Sequence, residues 1–142
     1  IAEYTEQHTG YKSLFLKTEY NGQNNLDCLS HAVCSMAIDV NAKAIVVCSV
    51  SCKTAMSVSR FRTPVDIIGM TTDRKIWRRL SMSWGVTPVM ADEFPTMDVM
   101  FYYAQKAAVD VLHLKPGDNI LLTGGPINGQ HGNTNTIKIE TI

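Results

Sequence analysis

The sequence predicts one α/β domain, a three-layer αβα arrangement around a five-stranded, mostly parallel sheet with an antiparallel strand at its C-terminal edge. Three observations lead there. Short, β-branched apolar runs alternate along the chain with longer segments of helical period, the pattern of βαβ units. The first four runs are each separated by such a segment, which parallel pairing requires. The last two runs have only a glycine-rich loop between them (GGPINGQHG, 124–132), so the final strand is expected to turn back on its neighbour.

Each element has its own signal. Residues 1–24 read as a lead-in, opening with the helix-like IAEYTEQ, and residues 25–142 as the αβα core. The chain starts at Ile1 rather than Met, which raises the expectation of a piece of something longer. From Asn24 to Ala42 the 3.6 period places Leu26, Leu29, Val33, Ala37 and Val40 on one face, with Asn25 or Asp27 as cap. Ala44–Cys48 is the continuous apolar type of a fully buried strand. Lys53–Phe61 is the next helix, with Ala55, Val58 and Phe61 inward and Ser51 or Thr54 as a possible cap. It stops at Thr63–Pro64, because the residue before proline is pushed out of the helical region.

Val65–Thr71 reads as the second strand. Thr72 or Asp73 caps a helix through Trp84, with Gly85 as its left-handed C-cap, and Trp77 and Trp84 share a face by their spacing of seven. Val86–Ala91 is a shorter strand. After the Phe94–Pro95–Thr96 turn, Thr96 or Asp98 starts a long helix to about Leu114, too rich in bulky apolar residues for one buried stripe. Met97, Met100, Phe101 and Tyr103 leave a surplus for the core or a subunit contact. Lys115–Asp118 is a turn, Asn119–Thr123 the fourth strand and Thr134–Ile142 the last.

The bulk properties exclude several functions. At 142 residues with 45% hydrophobic and 18% charged content, the chain is an ordinary globular domain. Thirteen basic residues balance thirteen acidic ones, so no global field favours a nucleic acid or a membrane surface as partner. No apolar run is long enough to span a bilayer. Cys28, Cys34, Cys48 and Cys52 match no zinc spacing and read as reduced thiols of a cytoplasmic protein. No two of the four histidines sit at ligand spacing, so no metal site is expected.

The chemistry concentrates in AIVVCSVSCKTAMSVSRFR (44–62). A buried strand breaks into Ser49, Ser51, Lys53 and Thr54, and a helix begins at once. Free backbone N–H groups, hydroxyls and an ammonium then converge at a helix N-terminus, where a phosphate is welcome. Lys53 there opposes the helix dipole, which favours a ligand role over that of a solvated lysine. Arg60 and Arg62, at the other end, suit the dipole and read as structural. If the first and fourth strands are neighbours, the Ser49–Thr54 turn and the 124–132 loop face each other across one crevice, outside the carboxyl ends of the strands.

These residues also carry a resemblance. AKAIVVCSVSCKTAMSVSRFR, VDIIGMT, WGVTPVM, KPGDNILLTGG and GNTNTIKI, in that order over nearly the whole length, resemble the C-terminal domain of pyruvate kinases, of the bacterial type. The resemblance implies a five-stranded, helix-flanked sheet that carries no catalytic residue. In the family the active site lies in a barrel and a lid, where phosphate moves from phosphoenolpyruvate to ADP with magnesium and commonly potassium. For this domain it implies allosteric regulation in glycolysis and one interface of a homotetramer.

Carried over position by position, the resemblance makes Ser49, Ser51, Cys52, Lys53 and Thr54 the loop that holds an effector's phosphate. It makes Gly124, Gly125, Gly129, His131, Gly132, Asn133 and Thr134 the effector loop. The implied partners are a phosphorylated small molecule and the other domains and subunits of the same enzyme. Two departures stand out. Cys52 replaces a usual glycine, and Phe94 to Met100 lacks the tryptophan and arginine of fructose-bisphosphate-responsive animal enzymes. Two other readings remain: a purely structural assembly domain with a vestigial anion pocket, and a free-standing enzyme using His131, Asp118 or Glu93 as acid and base. On the phosphate reading, Lys53→Glu is expected to weaken binding by about 2 kcal/mol.

Overall fold

The computed structural model describes residues 1–51, 53–127 and 133–142. In chain order the elements are α1 (Ala2–His8), α2 (Tyr11–Lys17), α3 (Asn25–Asp39), β1 (Ala44–Cys48), α4 (Lys53–Arg60) and β2 (Asp66–Thr71). Then follow α5 (Arg74–Leu80), β3 (Val86–Met90), α6 (Met97–Leu112), β4 (Asn119–Gly124) and β5 (Thr136–Thr141). The sheet order is β3-β2-β1-β4-β5. β1 pairs in parallel with both β2 and β4, and β2 with β3, whereas β4 and β5 are antiparallel. The predicted architecture is the one observed, including the turned-back edge strand.

Alternation along the strands divides the core. Ile45, Val47, Ile67 and Leu121 face one layer with Val33, Ala37, Val58 and Leu80 of α3, α4 and α5. Val46, Ile68, Ile120 and Leu122 face the other, against Met100, Phe101, Ala104 and Ala108 of α6. All five residues of β1 are buried, as a central parallel strand covered on both faces must be. β4 also lies in the middle of the sheet, while β5 keeps Lys138 and Ile139 exposed.

Several local expectations need correction. The cap of α3 is Asn24, whose side chain accepts from the Asp27 amide. Its buried face carries Asp27, Ser30, Val33, Cys34, Ala37 and Ile38, leaving Leu26, Leu29 and Val40 half-buried. The reason is that α3 packs on α4 as well as on the sheet, so small side chains occupy the close contact. Asp27 there pairs with Arg60 at the end of α4, as a cation at a helix C-terminus suits. Phe61 lies past α4, where Arg62 takes a φ of 52° ahead of Thr63–Pro64. Its ring meets Phe15, Tyr20 and His31 edge-on, so it packs against the lead-in rather than facing the sheet from the helix.

Asp73, not Thr72, caps α5, accepting from the Lys75 and Ile76 amides. The helix ends at Leu80, because Ser81 turns its hydroxyl back to the Trp77 carbonyl (3.2 Å) and the backbone tightens to Ser83 N–Leu80 O (2.9 Å). Trp77 and Trp84 therefore do not share a helix face. Trp77 donates to the Pro88 carbonyl (3.1 Å), while Trp84 packs against Tyr11 and under Arg62. Gly85, at φ 67°, serves the turn into β3 instead of a helix end. Thr96 caps α6, and His113 in the left-handed region closes it.

Among the described cysteines, Cys34 and Cys48 are buried and Cys28 is exposed. Burial pushes both buried thiols up to about 12, so neither offers a thiolate near neutrality. Brief maleimide labelling of the native protein followed by peptide mass mapping is expected to modify Cys28 and leave Cys34 and Cys48 untouched until unfolding.

Candidate functional site

The parallel pairing of β1 with β4 sets Val47 beside Thr123, so the chains leaving both strands emerge together at the carboxyl end of the sheet. The turn after β1 is folded by its own groups. The Ser49 hydroxyl donates to the Ser51 carbonyl (2.7 Å), and the Ser49 amide donates to the Met70 carbonyl (3.3 Å). Ser51 Oγ is buried with no partner among the described residues. The loop after β4 is clasped at its base, where Asn135 N donates to the Gly124 carbonyl (3.0 Å) and the Thr123 hydroxyl to the Thr136 carbonyl (2.9 Å).

One contact joins the two segments: Thr54 Oγ1 and Thr134 Oγ1 share a hydrogen bond of 2.7 Å. Thr54 is fully buried within α4, so it acts as a bridge rather than as the helix cap. Close packing under this junction needs glycine. A Cβ on Gly124 would stand 2.8 Å from Met100 Cε and 3.4 Å from the Cys48 carbonyl oxygen, and one on Gly125 would collide with the Asn133 carbonyl.

Beside the junction opens a cavity of about 430 Å³, within the range of small-molecule sites. Ser49, Val50, Gly125, Asn133 and Thr134 line one side, and Met70 and Met100 lie among its apolar walls. Thr71, Thr72 and the segment Ala91–Pro95 line the side beyond β2 and β3.

The structure thus brings together Ser49, Thr54, Gly125, Asn133 and Thr134 of the anticipated residues. It places Lys53 differently: this side chain is exposed and absent from the cavity lining. Ser51 and Gly124 are not among the residues lining it. Cys52, Gly129, His131 and Gly132 lie outside the described residues. Of the acid–base candidates, Asp118 accepts from the Lys115 amide (2.8 Å) in the turn before β4. That is the opposite end of the sheet, roughly 20 Å away along a six-residue strand, so Asp118 takes no part in this site. Glu93 does line the cavity, and Asp92, Thr71 and Phe94 beside it were not singled out as site residues. Their signal was available, since they follow the carboxyl ends of β2 and β3 by the same topological rule.

The described residues contain no group of three or more His, Cys, Asp or Glu side chains that could hold a metal ion. No described helix is long and apolar enough to cross a membrane.

Comparison with known proteins matches the family described as "Pyruvate kinase, alpha/beta domain" over residues 27–140. Among curated relatives, the chain is 29% identical to the pyruvate kinase of Clostridium acetobutylicum over 143 aligned positions, spanning 100% of this chain and 30% of that protein. It is 33% identical to the pyruvate kinase of Lactobacillus delbrueckii subsp. bulgaricus, over 87% of this chain and 21% of that one. Identity to the Staphylococcus epidermidis protein is 32%, over 100% and 24%. The chain thus spans less than a third of the length of these relatives. A crystal structure of a pyruvate kinase from Cryptosporidium parvum superposes with a TM-score of 0.82 at 22% identity, covering 96% of this chain and 27% of that one.

Proposed function

The chain belongs to the pyruvate kinase family through its alpha/beta domain, and from that premise we propose that it regulates and assembles a pyruvate kinase by binding a phosphorylated small-molecule effector. The parent reaction, phosphoenolpyruvate with ADP to pyruvate and ATP, belongs on this reading to other domains, which would also hold magnesium and potassium. The protein works in the cytoplasm, consistent with the three free cysteines described.

The observation that carries the reading is the Thr54–Thr134 hydrogen bond. It ties the helix-starting turn to the loop after β4, so occupancy of one is felt by the other. Ser49 and Thr134 line the cavity beside the start of α4, their hydroxyls bonded to the Ser51 carbonyl and to Thr54, and the free amides and dipole of a helix start favour an anion there. A phosphate there would draw the two segments together and pass its effect to β1 and β4. Assembly without any ligand is the second reading, supported by the exposed Tyr102 and Tyr103 of α6 and the open edge of β5 with Ile139.

Calorimetric titration of the intact protein with inorganic phosphate, AMP, ribose 5-phosphate and fructose 1,6-bisphosphate separates the two. Saturable binding of any of them, weakened by Ser49→Ala, supports the effector reading, and no heat from any supports assembly alone. Because Lys53 is exposed, solvent screens its charge. Lys53→Glu is therefore expected to cost about 1 kcal/mol rather than 2, with the loss shrinking as salt is raised.

A further inference from the structure

Asparagine amides are thermolabile, and their fate depends on the residue that follows. The next backbone nitrogen attacks the side-chain carbonyl carbon and closes a succinimide ring. A Cβ on that next residue hinders the closure, and glycine has none. Among the described asparagines only Asn21 precedes a glycine; Asn128–Gly129 lies outside the described residues. Asn21 and Gly22 are both exposed, in the irregular stretch between α2 and α3. The Gly22 N–H has no backbone acceptor among the described residues. Neighbouring asparagines are held. The Asn24 side chain accepts from the Asp27 amide (2.9 Å), and Asn25 lies within α3. After Asn41, the Ala42 amide is bonded to the Ala37 carbonyl (2.8 Å).

The chain just beyond Asn21 is packed without slack. A Cβ on Gly22 would stand 2.5 Å from Cys28 Sγ and 2.6 Å from the Tyr20 hydroxyl. Tyr20 in turn stacks on His31, with ring centroids 3.9 Å apart and planes 5° from parallel, and meets Phe61 edge-on. Little else holds the lead-in to the core. α1 has no buried residue, and α2 has only Phe15, which reaches the same His31 and Phe61.

We propose that Asn21 is a self-modification site, whose side chain closes onto the Gly22 nitrogen, opens to isoaspartate and so loosens α1 and α2 from the core. In the first step the Gly22 N–Asn21 Cγ bond forms and the Cγ–Nδ2 bond breaks. The Gly22 amide proton leaves with Nδ2 as ammonia. Water then opens the succinimide, at Cγ to give aspartate or at the backbone carbonyl to give isoaspartate. Closure requires the Gly22 nitrogen to lose its proton, so the rate rises with pH. Isoaspartate routes the main chain through Cβ and Cγ, which adds one atom ahead of Gly22. The longer chain pushes Gly22 against Tyr20 and Cys28, and the stack on His31 opens. Elapsed time and alkalinity, rather than a ligand, then set how firmly the lead-in is held.

The test stores the intact protein and its Asn21→Ser variant at mildly acid and mildly alkaline pH, then maps tryptic peptides by tandem mass spectrometry. Asn21, Asn24, Asn25 and Asn41 fall in one tryptic peptide, residues 18–43, so they are compared within a single fragment. Conversion of amide to acid is expected at least tenfold faster at Asn21 than at the other three, faster still at the alkaline pH, with isoaspartate the main product. Amide hydrogen exchange across α2 should then quicken at least threefold in the stored unsubstituted protein and stay unchanged in stored Asn21→Ser. Equal conversion at the four asparagines overturns the proposal. So does modification of Asn21 that leaves exchange in α2 unchanged. Asn21 is exposed and lies in no helix or strand, so Asn21→Ser is expected to fold, and its thermal midpoint checks this.

Discussion

Leu122→Ala is expected to lower the free energy of unfolding by about 3 kcal/mol, within the range measured for buried leucines cut to alanine. Leu122 is 1% exposed at the centre of β4, paired with Val46 on one side and Lys138 on the other. It faces the α6 layer, together with Met100, Phe101, Ala104 and Ala108. β4 is held by β1 and β5, so the backbone has little freedom to collapse into the space left behind. A cavity persists, and its cost adds to the lost transfer free energy. In a thermal scan the midpoint should drop by roughly 10 °C. Leu16→Ala, at a side chain 61% exposed on α2, should stay within about 0.5 kcal/mol of the parent. If the two variants unfolded alike, the division of the core into layers would be wrong.

Gly125→Ala should have the second largest effect, and on the site rather than the core. The added Cβ would collide with the Asn133 carbonyl and come 3.2 Å from Thr134 Cα. Both obstacles are backbone, so the chain beyond Gly125 must move, at about 2 kcal/mol by comparison with other overpacking and strain costs. Thr134 moves with it, and the hydrogen bond to Thr54 opens. Binding of a phosphate ligand should then weaken about thirtyfold, the equivalent of that 2 kcal/mol. The β1–β2 core is not involved, so the unfolding midpoint should shift far less than in Leu122→Ala. Calorimetric affinity and thermal midpoint, measured on the same sample, check both halves. Unchanged affinity would remove the 124–134 segment from the site.

The strands were legible because their apolar runs are short, β-branched and bounded by turn residues, and burial on both faces leaves little choice of composition. The turned-back edge followed from chain length alone, since no crossover helix fits between Gly124 and Thr134. Helix faces were read less well. The leucine stripe of α3 had the right period but the wrong neighbour, because α4 lies against Asp27, Ser30 and Cys34 and nothing local announces that contact. Phe61 and Trp84 were assigned to helices that stop before them, at Arg60 ahead of a left-handed Arg62 and at Leu80, where Ser81 bonds back to Trp77. Half of the site was visible in the same way. The hydroxyl-rich turn and the glycine loop stood out by composition, while Asp92 was passed over and Glu93 was read only as an acid–base candidate until β3 was seen to end beside the same cavity.

Local composition was thus sufficient for the order and type of the elements from α3 onward, the buried strands and the family, since each depends on periods and turns within a few residues, whereas α2 in the lead-in was not read. Folding in three dimensions settled which side chains share a space. Thr54 meets Thr134 across eighty positions, Lys53 is exposed, and Asp92 and Glu93 line the same crevice as Ser49 and Thr134. Those outcomes depend on strand order, and the pairing of β1 with β4 is a long-range choice made by the whole core at once.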